Sequence, residues 1–192
     1  PPRYNVAPTQ PVAVIPNDGK NTLNHFVWGL IPSWAKDPSI GSRMINARSE
    51  TLVEKPSFRS AFRRRRCLIP ASGFYEWKAS KEQKSKTPMY IQLKSAKPFA
   101  FAGLWERWES RDGSEILSCT IITTGPNELI AEIHNRMPVI IPPQAYSLWL
   151  DPGEPPLQDL QNLLKPYPAA EMLAYPVSTM VNKPDNDSPA LI

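Results

Sequence analysis

The stretch Cys67-Leu68-Ile69-Pro70-Ala71-Ser72-Gly73-Phe74-Tyr75-Glu76-Trp77 decides how this chain folds. Its first four residues are an apolar run typical of a buried strand, and residues 74–78 alternate as a strand with two different faces. Glu76 then shares a face with Phe74 and Lys78, opposite Tyr75 and Trp77. Residues 89–93 look like a partner strand and predict a hairpin with residues 74–78. The Lys- and Ser-rich segment between them, residues 79–87, predicts a solvated loop.

Outward from this hairpin, short apolar segments alternate with turn signals along the whole chain. We predict further strands over residues 12–15, 25–31, 99–108, 116–124 and 172–177. We predict short helices over residues 50–62, interrupted at Pro56, and over 126–133, 143–150 and 156–164. This mixture indicates an α+β fold, mainly an antiparallel barrel-like β-sheet with short flanking helices.

Composition narrows the class of protein. A chain of 192 residues can bury one sizeable core, so we expect a single domain over residues 1–192 and a monomer. The 23 prolines disfavour long helices, and the formal charge of +4 is compatible with a nucleic-acid partner. Two cysteines without CxxC spacing and two histidines make no zinc set, so we expect no metal and no cofactor. We find no signal peptide and no membrane span, and expect a cytoplasmic protein with reduced core thiols.

Two residues are candidates for proton chemistry. Glu76 lies among aromatic residues, a setting that raises a carboxyl pKa and suits general acid or base work; alternatively it pairs with Lys78 or Arg107. His134 lies where a predicted helix gives way to a strand, a common place for functional side chains, although an isolated histidine is more often structural.

Three further features suggest contacts with an anion or a base. Asn46 and Arg48 either orient a nucleophile and bind a phosphate, or belong to a helix start capped by Ser49. The run from Arg63 to Arg66 is either a solvated face or a track for a nucleic-acid backbone. Trp34, in a loop flanked by prolines, either stacks on an unpaired base or packs over a groove.

Taken together, these motifs resemble the SOS response-associated peptidase family, often called SRAP. They occur in the family's order along almost the whole chain. The matching segments are Arg3-Tyr4-Asn5-Val6-Ala7-Pro8, Trp28-Gly29-Leu30-Ile31-Pro32-Ser33-Trp34, Asn46-Ala47-Arg48-Ser49-Glu50-Thr51, Cys67 to Trp77, Phe101-Ala102-Gly103-Leu104-Trp105, Thr120-Ile121-Ile122-Thr123-Thr124, His134-Asn135-Arg136-Met137-Pro138-Val139, Val181-Asn182 and Asn186-Asp187.

The resemblance implies a protein of the DNA damage response that protects abasic sites in single-stranded DNA by covalent capture. In this family a cysteine directly after the initiator Met condenses its α-amine with the ring-opened abasic aldehyde, and its thiol closes a thiazolidine ring. A self-processing peptidase activity gives the family its name. By resemblance, Asn46 holds that cysteine, Glu76 is the acid/base group, and His134 assists opening of the sugar ring.

The resemblance also implies a positively charged groove for DNA. Arg48 and Arg136 match residues that bind the phosphates flanking the lesion. Trp34 lies near a wedge that interrupts base stacking, Pro8 lies in the groove wall, and Arg3 joins this DNA-binding set. In a bacterium we expect the protein to associate with the nucleoid.

The chain departs from the family pattern at its start. The family begins with Met-Cys-Gly-Arg and a further segment before Arg3, whereas this chain begins at Pro1. We therefore expect the chain as printed to bind DNA weakly and to form no cross-link. Two alternatives stay open: a non-covalent binding module for single-stranded or modified DNA, and a thiol peptidase that uses Cys67, His134 and Glu76.

Overall fold

The structure is a computed structural model that describes residues 2–80 and 85–192. The strands are β1 (Pro11–Pro16), β2 (Asn24–Trp28), β3 (Asn46–Arg48), β4 (Arg66–Ala71), β5 (Phe74–Lys78), β6 (Thr87–Leu93), β7 (Phe99–Glu109), β8 (Glu115–Thr124), β9 (Met137–Pro138), β10 (Ile140–Ile141) and β11 (Met172–Pro176). The α-helices are α1 (Arg59–Arg64), α2 (Glu128–Ala131), α3 (Tyr146–Trp149) and α4 (Leu157–Asn162). Short 3₁₀ turns lie at Pro38–Arg43, Ser49–Thr51, Pro143–Ala145, Ala169–Glu171, Thr179–Asn182 and Pro189–Leu191.

Within the described residues, strands β4, β1, β2, β8 and β7 pair in that order, and β7 pairs again with β4 to close a barrel. A second sheet in the order β11, β6, β5 lies beside it and contains the predicted hairpin, with Glu76 opposite Met89. The α+β prediction with a barrel-like sheet is confirmed. The barrel is mixed, however, because β2 and β3 both run parallel to β8.

The strands at the centre of the barrel are buried on both faces. Along β4, Cys67 and Ile69 belong to one apolar cluster while Leu68 belongs to the other, and Ile121 and Ile122 of β8 divide in the same way. Burial on both faces explains why these strands read as continuous apolar runs. Cys67 and Cys119 are free thiols with no exposed surface, as predicted for core cysteines.

A close approach of two loops sets the position of β3. Gly29 has a φ of 138°, and a Cβ added there would lie 2.5 Å from the carbonyl oxygen of Gly41. Only glycine allows this approach. The contact ends β2 at Trp28, earlier than the predicted strand over residues 25–31. The chain then returns to β8 as β3, which begins to pair at Ile121, two residues beyond the last partner of β2.

Several local predictions need correction. Ser49 is not a helix cap, because the 3₁₀ turn Ser49–Thr51 begins after Arg48 and has no side-chain cap. The helix predicted over residues 126–133 is limited to α2, whose cap is Asn127. The predicted loop over residues 79–87 includes residues 81–84, which lie outside the described residues.

Candidate functional site

Glu76 and His134 are the two proton-handling candidates that the structure brings together. Their closest atoms, Glu76 Oε1 and His134 Nδ1, are 4.0 Å apart, so they attract each other without a direct hydrogen bond. The side chain of Glu76 is 23% exposed and that of His134 is 40% exposed. Both groups therefore face a partly sheltered but open position, where a substrate can reach them.

The environment of Glu76 favours its protonated form. Burial raises the pKa of the Glu76 carboxyl, and the smaller opposing effects come from His134, the backbone amide of Trp77 and Lys86. The alternative ion pair with Arg107 is not formed, because Arg107 pairs with Glu115. A carboxyl group with a raised pKa holds a proton more readily than an ordinary glutamate, which suits a group that must both take up and return one.

Helix α2, which precedes His134 in the chain, holds the backbone of this residue in place. Asn127 caps this helix by accepting a hydrogen bond from the Ile130 amide at 2.9 Å, and its side chain also donates to the Tyr167 carbonyl. The amide of His134 donates to the Ile130 carbonyl at 2.8 Å. Since Ile130 is fully buried, the imidazole projects from an anchored turn.

The His134 ring has a backbone partner in either protonation state. Its Nδ1 lies 3.2 Å from the amide nitrogen of Arg136 and 3.1 Å from the carbonyl oxygen of the same residue. An unprotonated Nδ1 accepts from the amide, and a protonated Nδ1 donates to the carbonyl. The ring can therefore gain or lose a proton without losing its position.

Two arginines lie beside Thr123, near the end of strand β8. Arg48 is exposed on β3 and pairs with Thr123 in the sheet register. The Arg136 guanidinium donates to the Thr123 carbonyl at 2.7 Å and to its hydroxyl at 3.1 Å. Asn46 lies two residues before Arg48 on the same exposed face of β3, since the intervening Ala47 is fully buried. Arg48 therefore lies next to the residue that Arg136 contacts, whereas Asn46 pairs with Ile121, two positions earlier on β8.

Sequence reasoning missed the partner of Arg136. Its guanidinium makes a two-pronged ion pair with Glu50, with N–O distances of 2.8 and 3.0 Å. This pair holds the pKa of the Glu50 carboxyl below its usual value. Glu50 and Arg136 are 86 positions apart in the sequence, and no local pattern links them.

Trp34 lies away from this group. It is 59% exposed and lines a cleft of about 550 Å³ with Arg59, Arg65 and Glu106, among others. The carbonyl of the next residue, Ala35, accepts from Trp108, which pairs with Ile116 near the start of β8. At about 3.3 Å per strand residue, this is roughly 20 Å along β8 from Thr123.

Arg3 and Pro8 occupy the start of the described chain. Arg3 forms an ion pair with Asp187 and donates to Gln10 at 3.0 Å. Pro8 is exposed in the turn that leads into β1. Within the described residues, neither Arg3 nor Pro8 makes a hydrogen bond or an ion pair with Glu76 or His134.

The predicted arginine run divides between surface and core. Arg63 is exposed, Arg64 pairs with Glu154, and Arg65 pairs with the nearly buried Glu106. Arg66 is fully buried, with donors directed at backbone carbonyls that include those of Trp149 and Phe62. The run is therefore not one solvated face.

Two absences bear on the class of site. Across residues 2–80 and 85–192, no three His, Cys, Asp or Glu side chains gather where they could bind a metal ion. Over the same ranges, no helix has the length and hydropathy needed to cross a membrane.

Comparison with known proteins places these features in a family. Residues 1–184 match the family described as SOS response associated peptidase (SRAP). The abasic site processing protein YoqW of Bacillus subtilis is 55% identical over 192 residues, covering all of this chain and 85% of its own length. The abasic site processing protein HMCES of Xenopus tropicalis is 35% identical over 90% of this chain and 57% of its own length. A crystal structure of a protein from Bacteroides thetaiotaomicron superposes with a TM-score of 0.83 at 32% identity, over 99% of this chain and 80% of that one.

Proposed function

The chain belongs to the SOS response-associated peptidase (SRAP) family, and on that premise we propose that it binds single-stranded DNA and captures abasic sites covalently. Relatives in Bacillus subtilis and Xenopus tropicalis are named abasic site processing proteins. We infer that it acts as a monomeric single domain in the cytoplasm, next to the nucleoid if the host is bacterial.

The observation that carries this proposal is the half-buried Glu76 carboxyl, with its raised pKa, 4.0 Å from His134. An amine attacks an aldehyde only when it is neutral, so a nearby base must remove a proton from the ammonium form. The same proton must later reach the oxygen that leaves as water. One carboxyl group with a pKa shifted toward neutrality can do both.

In the proposed reaction, the attacking group is the α-amine of an N-terminal cysteine, as in the family. Glu76 takes one proton from its ammonium form, and the amine forms a C–N bond with the aldehyde carbon of the opened sugar. The C=O double bond opens to an alkoxide, which takes a proton from the new ammonium nitrogen and becomes a hydroxyl. Protonated Glu76 returns the proton to the resulting hydroxyl, which leaves as water and gives an iminium ion. The cysteine sulfur then bonds to the same carbon and its proton passes to solvent. His134 donates and accepts the proton at the sugar oxygen during ring opening, and Asn46 holds the cysteine.

The neighbouring cations suit the phosphates of the strand. Arg48 is exposed beside Thr123, and Arg136 offers a planar guanidinium on the other side of that residue. We propose that these two arginines bind the phosphates on either side of the lesion. Trp34, Pro8 and Arg3 would then contact the strand further away, with Trp34 stacking on a base.

The test compares the chain as printed with the same chain extended by the family's leading segment, which begins Met-Cys-Gly-Arg. Each protein is mixed with a single-stranded oligonucleotide that carries one abasic site, and the products are separated on a denaturing gel. We expect a heat-stable shifted band from the extended chain, and none when its cysteine is replaced by serine. If the extended chain gives no band, covalent capture is wrong.

A non-covalent DNA-binding module is the second candidate. It is favoured by the position of both cysteines of the chain, which are fully buried and within the polypeptide, so neither can supply an α-amine next to a thiol. Binding without a covalent band from the extended chain would support it. The thiol-peptidase alternative is disfavoured, because burial raises the pKa of the Cys67 thiol well above its usual value.

A further inference from the structure

Glu50 occupies the edge of Arg136 that a phosphate would need. The two terminal nitrogens of Arg136 face the two carboxylate oxygens of Glu50 at 2.8 and 3.0 Å. Arg136 is 23% exposed, whereas Glu50 is 53% exposed and lies on the solvent side of the pair. A planar guanidinium offers the same forked geometry to a carboxylate and to a phosphate. The Glu50 carboxylate therefore occupies the place on Arg136 that a DNA phosphate would take.

The other side of Arg136 does not depend on Glu50. Its Nη2 also donates to the Thr123 carbonyl and hydroxyl, and Thr123 is buried at the end of β8. The backbone amide and carbonyl of Arg136 both lie within 3.2 Å of His134 Nδ1. Because these inner contacts come from β8 and the His134 turn, the guanidinium can exchange its outer partner and keep its place.

We propose that Glu50 is a displaceable counter-ion, which neutralises Arg136 in the free protein and gives way to a backbone phosphate when a DNA strand binds. This inference rests on the proposed function, since the displacing phosphate belongs to the bound strand. An exposed ion pair contributes little to stability, and a polyanion that releases its counter-ions competes well for such a cation.

The first test is the affinity of the chain for two single-stranded oligonucleotides, measured by fluorescence anisotropy. One strand carries a tetrahydrofuran abasic analogue that has no aldehyde and cannot form a covalent bond, and the other is unmodified. Glu50→Gln should bind both strands about three- to fivefold more tightly than the wild type, because the phosphate no longer competes with a carboxylate. Glu54→Gln, the same charge change on an exposed residue of the same segment, should change affinity less than twofold by the same reasoning.

Equal gains from both variants would reduce Glu50 to a general charge effect and overturn the inference. Weaker binding by Glu50→Gln would also overturn it, since Glu50 would then be needed to hold Arg136 in place. Failure of the proposed function is distinguishable. If neither strand binds, both ideas are wrong, whereas tighter binding by Glu50→Gln together with no covalent band from the extended chain contradicts only covalent capture.

A second measurement needs no variant and so does not depend on how one folds. The ¹³C resonance of the Glu50 carboxyl is titrated in the wild-type chain, alone and saturated with the tetrahydrofuran strand. In the free protein Arg136 holds the pKa of this carboxyl below its usual value. Displacement removes the guanidinium and brings a phosphate near, so the pKa should rise on binding. An unchanged pKa in the complex would show that Glu50 stays on Arg136 and would overturn the inference.

Discussion

Two polar groups on either side of strand β4 differ in how many partners they have. Arg66 opens β4 and is fully buried, with donors to the carbonyls of Phe62, Trp149 and Asp151 among others. Glu76 follows the other end of β4 in the next strand, and its closest charged partner, His134, is 4.0 Å away. The Arg66 guanidinium uses its hydrogen-bond donors within the fold, whereas the Glu76 carboxylate can still accept further hydrogen bonds.

This difference separates a group that stabilises the fold from a group that can react. Burial lowers the pKa of the Arg66 guanidinium and raises the pKa of the Glu76 carboxyl, so it disfavours the charged form of both groups. The Arg66 guanidinium, however, donates to several backbone carbonyls, and removing it leaves those carbonyls without donors. Glu76 keeps free hydrogen-bonding capacity and partial exposure, and these make it available to exchange protons with a substrate.

The sharpest way to break this comparison is Glu76→Gln in the chain extended by the family's leading segment. The amide keeps the shape of the side chain but cannot take a proton, so the rate of cross-linking should fall about 10²- to 10⁴-fold. DNA affinity and the free energy of unfolding should change little. Gel time courses measure the rate, with Glu109→Gln, an exposed glutamate at the end of β7, as the matched control. An unaltered rate would remove Glu76 from the chemistry.

Arg66→Met should have the opposite profile. The substitution keeps an unbranched apolar side chain but removes the guanidinium and leaves several buried carbonyls without a donor, so the free energy of unfolding should fall by about 3 kcal/mol. Urea denaturation measures this loss, and the folded fraction should still cross-link DNA. Arg63→Met, at an exposed position of the same run, should cost under about 0.5 kcal/mol. Equal losses for the two variants would contradict a structural role specific to Arg66.

His134→Gln should shift the pH dependence of cross-linking. The positive charge of His134 lowers the pKa of Glu76, so its removal should raise that pKa further. At a given pH more of Glu76 is then protonated and less is available as a base. The acidic limb of the rate–pH profile should move to higher pH by as much as the pKa of Glu76 rises, and a rise of about one unit lowers the rate about tenfold on that limb. The control is His25→Gln, at an exposed position of β2, which should leave the rate–pH profile unchanged.

Cys67→Ala should have the smallest effect on chemistry. Cys67 is fully buried and its thiol pKa is raised, so its removal should leave cross-linking unchanged and cost about 1–2 kcal/mol of stability through the cavity it creates. Cys119→Ala, an equally buried thiol on β8, serves as the control. Loss of peptide cleavage in the Cys67 variant alone would revive the thiol-peptidase alternative.

The sequence predicted those parts of the fold whose signals are local. The strands predicted over residues 99–108 and 116–124 are β7 and β8, and the hairpin predicted between residues 74–78 and 89–93 is the pair of β5 and β6. Strand β3 was missed because three residues carry no periodicity, and only the parallel edge of β8 makes them a strand. The strand expected after His134 is present as the two short strands β9 and β10.

The candidate site divides along the same line. Glu76 could be picked out because one carboxylate among aromatic residues is conspicuous in the sequence. Its nearest partner, His134, lies 58 positions further along the chain and is brought close only by the fold. The Glu50–Arg136 pair and the burial of Arg66 could not be predicted, because each depends on contacts between residues far apart in the sequence.

The two ends of the described chain fasten together over the outer face of β5. The side-chain amide of Asn5 donates to the carbonyls of Val181, Lys183 and Asn186 within 3.1 Å, and the Tyr75 hydroxyl donates to the Tyr4 carbonyl. This fastening is on the reverse side of the strand from Glu76. A protein shortened after residue 178 would lose all three acceptors of Asn5 at once. Removal of the C-terminal residues would therefore release the N-terminal segment and loosen β5, the strand that carries Glu76.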